Sequence, residues 1–389
     1  MRKFWTVIAA GMALATGMAH AQTQGVSKDE IVLGSHLDLS GPAASPGKGV
    51  RNGMEMRVDE INAAGGINGR KLRLLVEDTG FNPQRAVSAV QKLVNQDQIF
   101  ALVAPMGTAT SIAAMPIALR KNVFHLFPIA STRAVYEPTN PLVAASVAPT
   151  SMEVEAILPR LYKDVRASKP CIIYQDDDFG REVMQGAEAG LKTIGVELAT
   201  RTAYKRGDTD FSSQMQRLSA EKCDFVVLGT LPRETIGSVA TARRIGFNPT
   251  FLSNLGAYSD VTPKLGGAAM DGLYSVMRSL HPYPDDASSR EVQRWLAQYK
   301  SRFNEDPTQF TILGYIAIDH FARAAANAGQ DLNVESFTRA LNTLVVPPDM
   351  FGSPQFSWSP TKRLGSSEFR LSQLQNGRWK LLKDYADFR

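Results

Sequence analysis

The first β-rich run of the chain reads Ile31-Val32-Leu33-Gly34-Ser35-His36, and a Ser-Gly-Pro loop at 40–42 follows it. A helix-like stretch then extends to about Asn62, and a second β-rich run at 72–77 precedes a helical pattern at 83–95. Strands that alternate with helices in this way predict a parallel sheet with crossover helices. The N-terminal part of the chain is therefore expected to be an α/β unit.

The same alternation occurs a second time after Pro149. Helical patterns at 152–165, 181–194, 211–221 and 234–245 alternate with β-rich runs at 171–174, 196–204, 224–228 and 250–253. A chain of 389 residues also exceeds what one hydrophobic core usually supports. The predicted fold class is α/β, with two doubly wound α/β lobes joined by a hinge of several crossings.

The C-terminal part departs from this alternation. It contains helical patterns at 310–326 and 334–344, and Asn376-Gly377 between alternating residues predicts a β-hairpin. The chain must therefore cross between the lobes more than once, and we expect crossings near 148–150, 276–280 and 345–351. The predicted first lobe comprises 28–149 with 277–347 returning to it, and the predicted second lobe comprises 150–276 with 348–389 appended.

Residues 1–21 have the features of a secretory signal. Met1-Arg2-Lys3 is positively charged, residues 4–15 are almost wholly apolar, and Ala19-His20-Ala21 precedes a cleavage site before Gln22. The formal net charge of +5 falls to about +3 without this segment, and no basic cluster exceeds a pair, so nucleic acid is not an expected partner. We expect an exported, periplasmic monomer.

Residues that could support catalysis are sparse. His36, His125, His281 and His320 are scattered, none is at metal-ligand spacing from another His or Cys, and no Gly-x-Ser-x-Gly motif is present. No catalytic residue, metal or cofactor is therefore predicted. The acidic run 176–178 precedes a helix, where it either interacts with the helix N-terminus or binds a metal or a ligand ammonium group.

Several short segments together resemble one known family. They are Leu39-Ser40-Gly41-Pro42, Glu60-Ile61-Asn62-Ala63-Ala64-Gly65-Gly66-Ile67-Asn68-Gly69, Leu75-Val76-Glu77-Asp78 and Pro128-Ile129-Ala130-Ser131-Thr132. They are similar to the leucine/isoleucine/valine-binding family of type I periplasmic binding proteins, which serve ABC importers. The resemblance implies a non-enzymatic binding protein whose partners are a small-molecule ligand and an ABC permease in the inner membrane. A soluble sensor that presents its ligand to a membrane receptor is the alternative.

The resemblance also implies a ligand site between the lobes. Hydroxyls and amides at helix starts in the first lobe would hold a carboxylate, and N-capping is the alternative role for those hydroxyls. The second lobe would supply side chains that cover the ligand. The implied ligand-binding residues are Ser40, Gly107, Thr108, Ala109, Ala130, Ser131, Thr132, Phe179, Thr230, Leu231, Leu255 and Tyr258.

Leu255 marks a departure from this family. Amino-acid binders of the family have an acid at this position that pairs with the ligand ammonium group, and Leu255 cannot form such a pair. An amino-acid ligand would need Asp178 or another acid. The expected ligand is an amino acid or a related small carboxylate, and the departure at Leu255 adds weight to a carboxylate without an ammonium group, such as an aromatic or branched organic acid.

Cys171 and Cys223 are the two cysteines of the chain, and each opens a predicted strand. The two strands should be neighbours if the second lobe is doubly wound. An oxidising compartment permits a disulfide, but a bond also requires the two Cα atoms to lie within about 7 Å. A disulfide and two free thiols both remain open.

Overall fold

The computed structural model describes residues 23–285 and 289–388, so the predicted signal segment 1–21 lies outside the described residues. The first lobe is built on a five-stranded parallel sheet with the order β2-β1-β3-β4-β5. Its strands are β1 (Glu30–Leu37), β2 (Lys71–Asp78), β3 (Ala101–Val103), β4 (Phe124–Leu126) and β5 (Val143–Ala144).

Three helices connect these strands: α1 (Ala44–Ala63), α2 (Pro83–Asn95) and α3 (Thr108–Leu119). The start of α2 follows from its sequence, because the Asn82 side chain accepts a hydrogen bond from the Arg85 amide at 3.0 Å and proline occupies the first helical position. Helices α2 and α3 pack together against one apolar face of the sheet. Apolar side chains of that face include Val32 and Leu102.

The second lobe is built on a seven-stranded sheet with the order β14-β13-β10-β9-β8-β6-β7. Its parallel strands are β6 (Pro170–Gln175), β7 (Thr200–Tyr204), β8 (Phe225–Gly229), β9 (Thr250–Ser253) and β10 (Tyr274–Met277). The connecting helices are α4 (Thr150–Asp164), α5 (Asp178–Lys192), α6 (Ser212–Ala220), α7 (Pro232–Arg244) and α8 (Val261–Gly266). The predicted fold class, two α/β lobes with parallel sheets, is thus confirmed.

The C-terminal part contributes to both lobes. Its elements are α9 (Arg290–Phe303), α10 (Gln309–Ala328), α11 (Val334–Leu341), β11 (Val345–Val346), β12 (Phe356–Ser357), β13 (Arg370–Gln375) and β14 (Arg378–Lys383). Helix α10 packs along α1, where a Cβ on Gly53 would lie 2.0 Å from the Thr311 carbonyl oxygen. Strands β13 and β14 form the predicted hairpin, and β13 pairs antiparallel with β10 in the second sheet.

The third crossing lies later than the predicted position at 345–351. Trp358 packs against Phe127 of the first lobe with ring centroids 5.3 Å apart, and its Nε1 donates to the Ala145 carbonyl at 3.0 Å. A bridge between Ala145 and Leu364 keeps the chain at the first lobe until just before β13. The segment 348–364, which we assigned to the second lobe, therefore contacts the first lobe, because its aromatic side chains complete that lobe's core.

A buried ion pair connects the crossings to the second lobe. Arg278, which follows β10, donates to Oε1 of Glu153 in α4 from Nε at 3.0 Å and from Nη2 at 2.9 Å. Its guanidinium also lies 5.3 Å from the ring of Phe369 and 3.5 Å from the Ser146 carbonyl oxygen. Arg278 thus contacts segments from each of the three places where the chain passes between the lobes.

A disulfide joins Cys171 and Cys223, with a Cα–Cα distance of 6.0 Å. Cys171 lies in β6, and Cys223 precedes β8, which pairs directly with β6. The expected neighbouring position of these two strands is therefore confirmed, and of the two open alternatives the structure contains the bond.

Candidate functional site

The two lobes face each other at the carboxyl ends of their parallel strands, where open α/β sheets bind their ligands. Side-chain contacts cross between the lobes there. The Thr132 hydroxyl of the first lobe donates to Oε1 of Glu182 in α5 at 2.6 Å. Arg206 of the second lobe donates from Nη1 to the carbonyl of Phe81 in the first lobe at 2.6 Å. The space between these loops is the candidate ligand cleft.

The first lobe contributes the start of α3 and the loop after β4. Gly107 has a φ of 101°, a conformation that favours glycine, and a Cβ there would lie 2.9 Å from Cε2 of Phe81. The Thr108 hydroxyl accepts a hydrogen bond from the Ser131 amide at 3.0 Å. This bond brings two of the predicted loops together. The neighbouring Ala109 is half-buried.

Other predicted first-lobe residues are engaged within the protein. Ser40 is exposed and donates to Oδ2 of Asp78 at 2.6 Å. Ala130 is buried in the loop after β4. Thr132 accepts from the Ala134 amide at 3.3 Å in addition to its contact with Glu182, so it acts as a cap and as an interlobe contact.

The second lobe presents an apolar face made of three predicted residues. Phe179 is the second residue of α5, Leu231 precedes α7, and Leu255 follows β9; all three are buried. They converge on one glycine: a Cβ on Gly256 would lie 3.5 Å from Cδ2 of Leu231 and 3.7 Å from Cζ of Phe179. The structure therefore brings these residues together.

Thr230 and Tyr258 point into the second lobe. The Thr230 hydroxyl lies 2.5 Å from that of Thr235. The ring of Tyr258 is fully buried and packs against Trp379 with ring centroids 5.1 Å apart. Burial also raises the pKa of Tyr258 well above its usual value. Neither hydroxyl faces the first lobe.

The acidic run after β6 has partners on its own lobe. Asp177 caps α5 by accepting from the Gly180 amide at 3.1 Å and pairs with Arg206 at 2.5 Å. Asp178 is half-exposed and pairs with Arg181 at 3.1 Å. The helix-terminus interpretation of this run therefore agrees with the observed contacts.

Phe81, Glu182 and Arg206 were not predicted as site residues. Phe81 has a φ of 59°, its ring lies next to Gly107, and the Arg206 guanidinium lies 4.8 Å from the ring centroid. A bulky residue with a positive φ at a strand end is unusual, but the φ is not visible in a sequence. The one sequence signal for Phe81 as a site residue is its position three residues after the 75–78 segment, which resembles the family.

Burial has different net effects on the pKa values of carboxyl groups in the two lobes. Burial would raise the pKa of Asp78, but hydrogen bonds from Ser40 and from the Leu39 and Gly80 amides outweigh this effect and lower it to about 2. In the second lobe, burial raises the pKa of Glu153, and the Arg278 guanidinium acts in the opposite direction. Burial also raises the pKa of Glu234 in α7.

A cavity of about 910 Å³ opens between the lobes, but none of the predicted ligand-binding residues lines it. Ala44, Lys48 and Thr308 line it from the side of α1 and α10, and Arg233 and Lys264 line it from the second lobe. Within residues 23–285 and 289–388, no group of three or more His, Cys, Asp or Glu side chains is arranged to hold a metal ion. In the same described part, no helix is both long and apolar enough to cross a membrane.

Comparison with known proteins assigns the chain to a family. The family model described as periplasmic binding protein matches residues 30–378. A curated relative, the Leu/Ile/Val-binding protein BraC3 of Rhizobium johnstonii, is 25% identical over 356 residues, which cover 90% of this chain and 93% of that protein.

Solved structures share the fold. A fatty acid ABC transporter substrate-binding protein from Thermomonospora curvata aligns with a TM-score of 0.83 at 20% identity, covering 93% of this chain and 94% of that one. A branched-chain amino acid transporter substrate-binding protein from Streptococcus pneumoniae, in complex with isoleucine, aligns with a TM-score of 0.77 at 21% identity, covering 91% and 100%. Members of the matched family are substrate-binding proteins and not enzymes. The chain belongs to the leucine/isoleucine/valine-binding family of periplasmic binding proteins.

Proposed function

We propose that the protein is the periplasmic substrate-binding component of an ABC importer and that it closes its two lobes around a small organic carboxylate. The observation that carries this proposal is the pairing of a polar loop face with an apolar loop face across one cleft. Thr108 and Ser131 belong to the polar face, and Phe179, Leu231 and Leu255 belong to the apolar face. A ligand with one charged end and an apolar body matches both faces.

The polar face suits a carboxylate. A hydroxyl is both donor and acceptor, so Thr108 can accept from the Ser131 amide and still donate its own proton to a ligand. Thr108 is also the first residue of α3, and the first amides of a helix have no partner within the helix. Two kinds of donor therefore converge where we place the ligand's charged end.

The apolar face favours an acid that lacks an ammonium group. Leu255 is buried and provides no counter-charge. Asp177 and Asp178 already pair with Arg206 and Arg181, so an ammonium group in the cleft would compete with these pairs.

Leucine and its keto acid, 4-methyl-2-oxopentanoate, form a matched pair of probes because they share the carboxylate and the side chain, and a keto oxygen replaces the ammonium group at the α-carbon. A ligand that binds only the native state raises the melting temperature, so we expect the keto acid to raise it more than leucine does. Leu255→Glu should reverse this preference, and Leu381→Glu, on the exposed edge of β14, should not. A larger shift with leucine in the wild type would contradict the proposed ligand class. A failure of amino acids and of aliphatic and aromatic acids alike would contradict carboxylate binding altogether.

A further inference from the structure

Arg206 reaches from one lobe to the other. It lies between β7 and α6 of the second lobe, and its side chain is 28% exposed. Nη1 donates to the Phe81 carbonyl at 2.6 Å, and the guanidinium lies 4.8 Å from the centre of the Phe81 ring. Phe81 belongs to the first lobe, so one arginine makes a charge-assisted hydrogen bond and a cation–π contact across the cleft.

The two groups that Arg206 contacts adjoin the two faces of the proposed site. The Phe81 ring lies beside Gly107, directly before Thr108. On the other lobe, Nη2 of Arg206 pairs with Asp177 at 2.5 Å, and Asp177 caps the helix that carries Phe179. Arg206 therefore connects the loop behind the polar face with the helix start that forms the apolar face.

We propose that Arg206 is an affinity-determining residue that stabilises the closed form and positions Phe81 against the ligand cleft. This inference rests on the proposed ligand binding between the lobes. The Asp177 pair lies within the second lobe and persists when the lobes separate, whereas the Phe81 contacts cross between the lobes and would be lost on separation. Interactions made only in the closed form shift the equilibrium toward it and thereby raise the apparent ligand affinity.

Arg201→Ala is the matched control for Arg206→Ala. Arg201 lies in β7 of the same lobe and pairs with Glu188 of α5 at 2.8 Å, but this pair does not cross the cleft. Both variants lose one partly exposed arginine. A general effect of charge or of local packing would therefore appear in both, and an effect on closure would appear only in Arg206→Ala.

Small-angle scattering of the ligand-free protein tests closure without a ligand. We expect a larger radius of gyration for Arg206→Ala than for the wild type, an unchanged one for Arg201→Ala, and an intermediate one for Arg206→Lys, which keeps the charge but loses the planar fork. Equal radii for Arg206→Ala and Arg201→Ala would overturn the proposal.

Binding of 4-methyl-2-oxopentanoate provides the second measurement. We expect Arg206→Ala to weaken binding about tenfold, mainly through a faster dissociation rate, since a hydrogen bond to a charged group and a cation–π contact are lost. Unchanged affinity in Arg206→Ala would overturn the proposal. If the keto acid does not bind the wild type, the proposed ligand class fails, and the scattering result alone decides the role of Arg206.

Discussion

The parallel strands of the two lobes have the same order, but burial mainly shifts the pKa values of histidines in the first lobe and of carboxyls in the second. The first lobe buries three histidines, His36, His125 and His320, and burial lowers their pKa values to about 4, 3 and 4. The second lobe buries two carboxyls, Glu153 and Glu234, and burial raises their pKa values. The two lobes are therefore expected to respond differently to acid.

Acidification from pH 7 to 4.5 should loosen the first lobe well before the second. The unfolded chain protonates a histidine near pH 6.5 but the folded lobe does so only near pH 4, so stability falls as the pH drops through this window. Protonation of Glu153 and Glu234 has the opposite effect on stability, because the folded form binds these protons at a higher pH than the unfolded chain does. His281, beside the second lobe, has a pKa lowered to about 3 and reduces the contrast.

The first lobe has three such histidines and the second lobe has one beside it. The stability lost by the two lobes at pH 4.5 should therefore differ by on the order of 5 kcal/mol. Hydrogen exchange, corrected for its intrinsic pH dependence, should show β1–β4 losing protection at a pH where β6–β9 retain it. Simultaneous loss of protection in the two sheets would remove the contrast between the lobes.

Replacing Arg278 breaks the buried ion pair and tests how strongly the stability of the second lobe depends on the charge of Glu153. Arg278→Met leaves the Glu153 carboxylate buried without its counter-charge, which should cost about 3–5 kcal/mol of unfolding free energy at pH 7. The loss should shrink at pH 5, because protonation of Glu153 removes the unpaired charge. Denaturant titration at both pH values measures this difference.

Arg57→Met is the control for that variant. Arg57 pairs with Asp319 at 2.7 Å between α1 and α10 of the first lobe, but both side chains retain some exposure. We expect a smaller loss, since Arg323 still pairs with Asp319 at 2.6 Å and water can still solvate this carboxylate. Equal losses in the two variants would mean that the burial of Glu153 carries no special cost.

Removing the disulfide should have a smaller effect than loss of the buried ion pair, and the effect should be confined to the second lobe. The bond joins residues 52 apart in sequence, and its loss in a Cys171→Ala, Cys223→Ala double variant should cost about 2–4 kcal/mol. Hydrogen exchange should increase in β6 and β8 and stay unchanged in β1 and β3. Equal increases in both sheets would show that the lobes unfold as one unit.

Local sequence patterns were sufficient for most helices and strands. Helix α2 at Pro83–Asn95 and strand β9 at Thr250–Ser253 have the predicted bounds, because proline at the first helical turn and a short apolar run are strong local signals. Strand β10 was missed, since four residues at Tyr274–Met277 are defined by pairing with β9 and β13. Helix α9 was also missed, although its buried residues at 292, 295, 296 and 299 have helical spacing.

The parts of the cleft that depend on distant contacts could not be predicted. The third crossing is set by Trp358 against Phe127, more than 200 residues away, and no local pattern at 345–351 carries that information. Thr108 and Ser131 were placed by family resemblance, and the structure brings them together. Arg206 lies in an ordinary polar loop, and its contact with Phe81 exists only because two lobes meet.

The chain is synthesised from its N-terminus, and its C-terminal part contributes to both lobes. These two facts together affect when each lobe can fold. The first lobe requires α10, which ends at Ala328, and the second sheet requires β13 and β14, which end at Lys383. A nascent chain therefore cannot complete either lobe until nearly all of it has been synthesised. A fragment cut at Pro149 would lack the helix that packs on α1, so neither half of this protein is an independent folding unit.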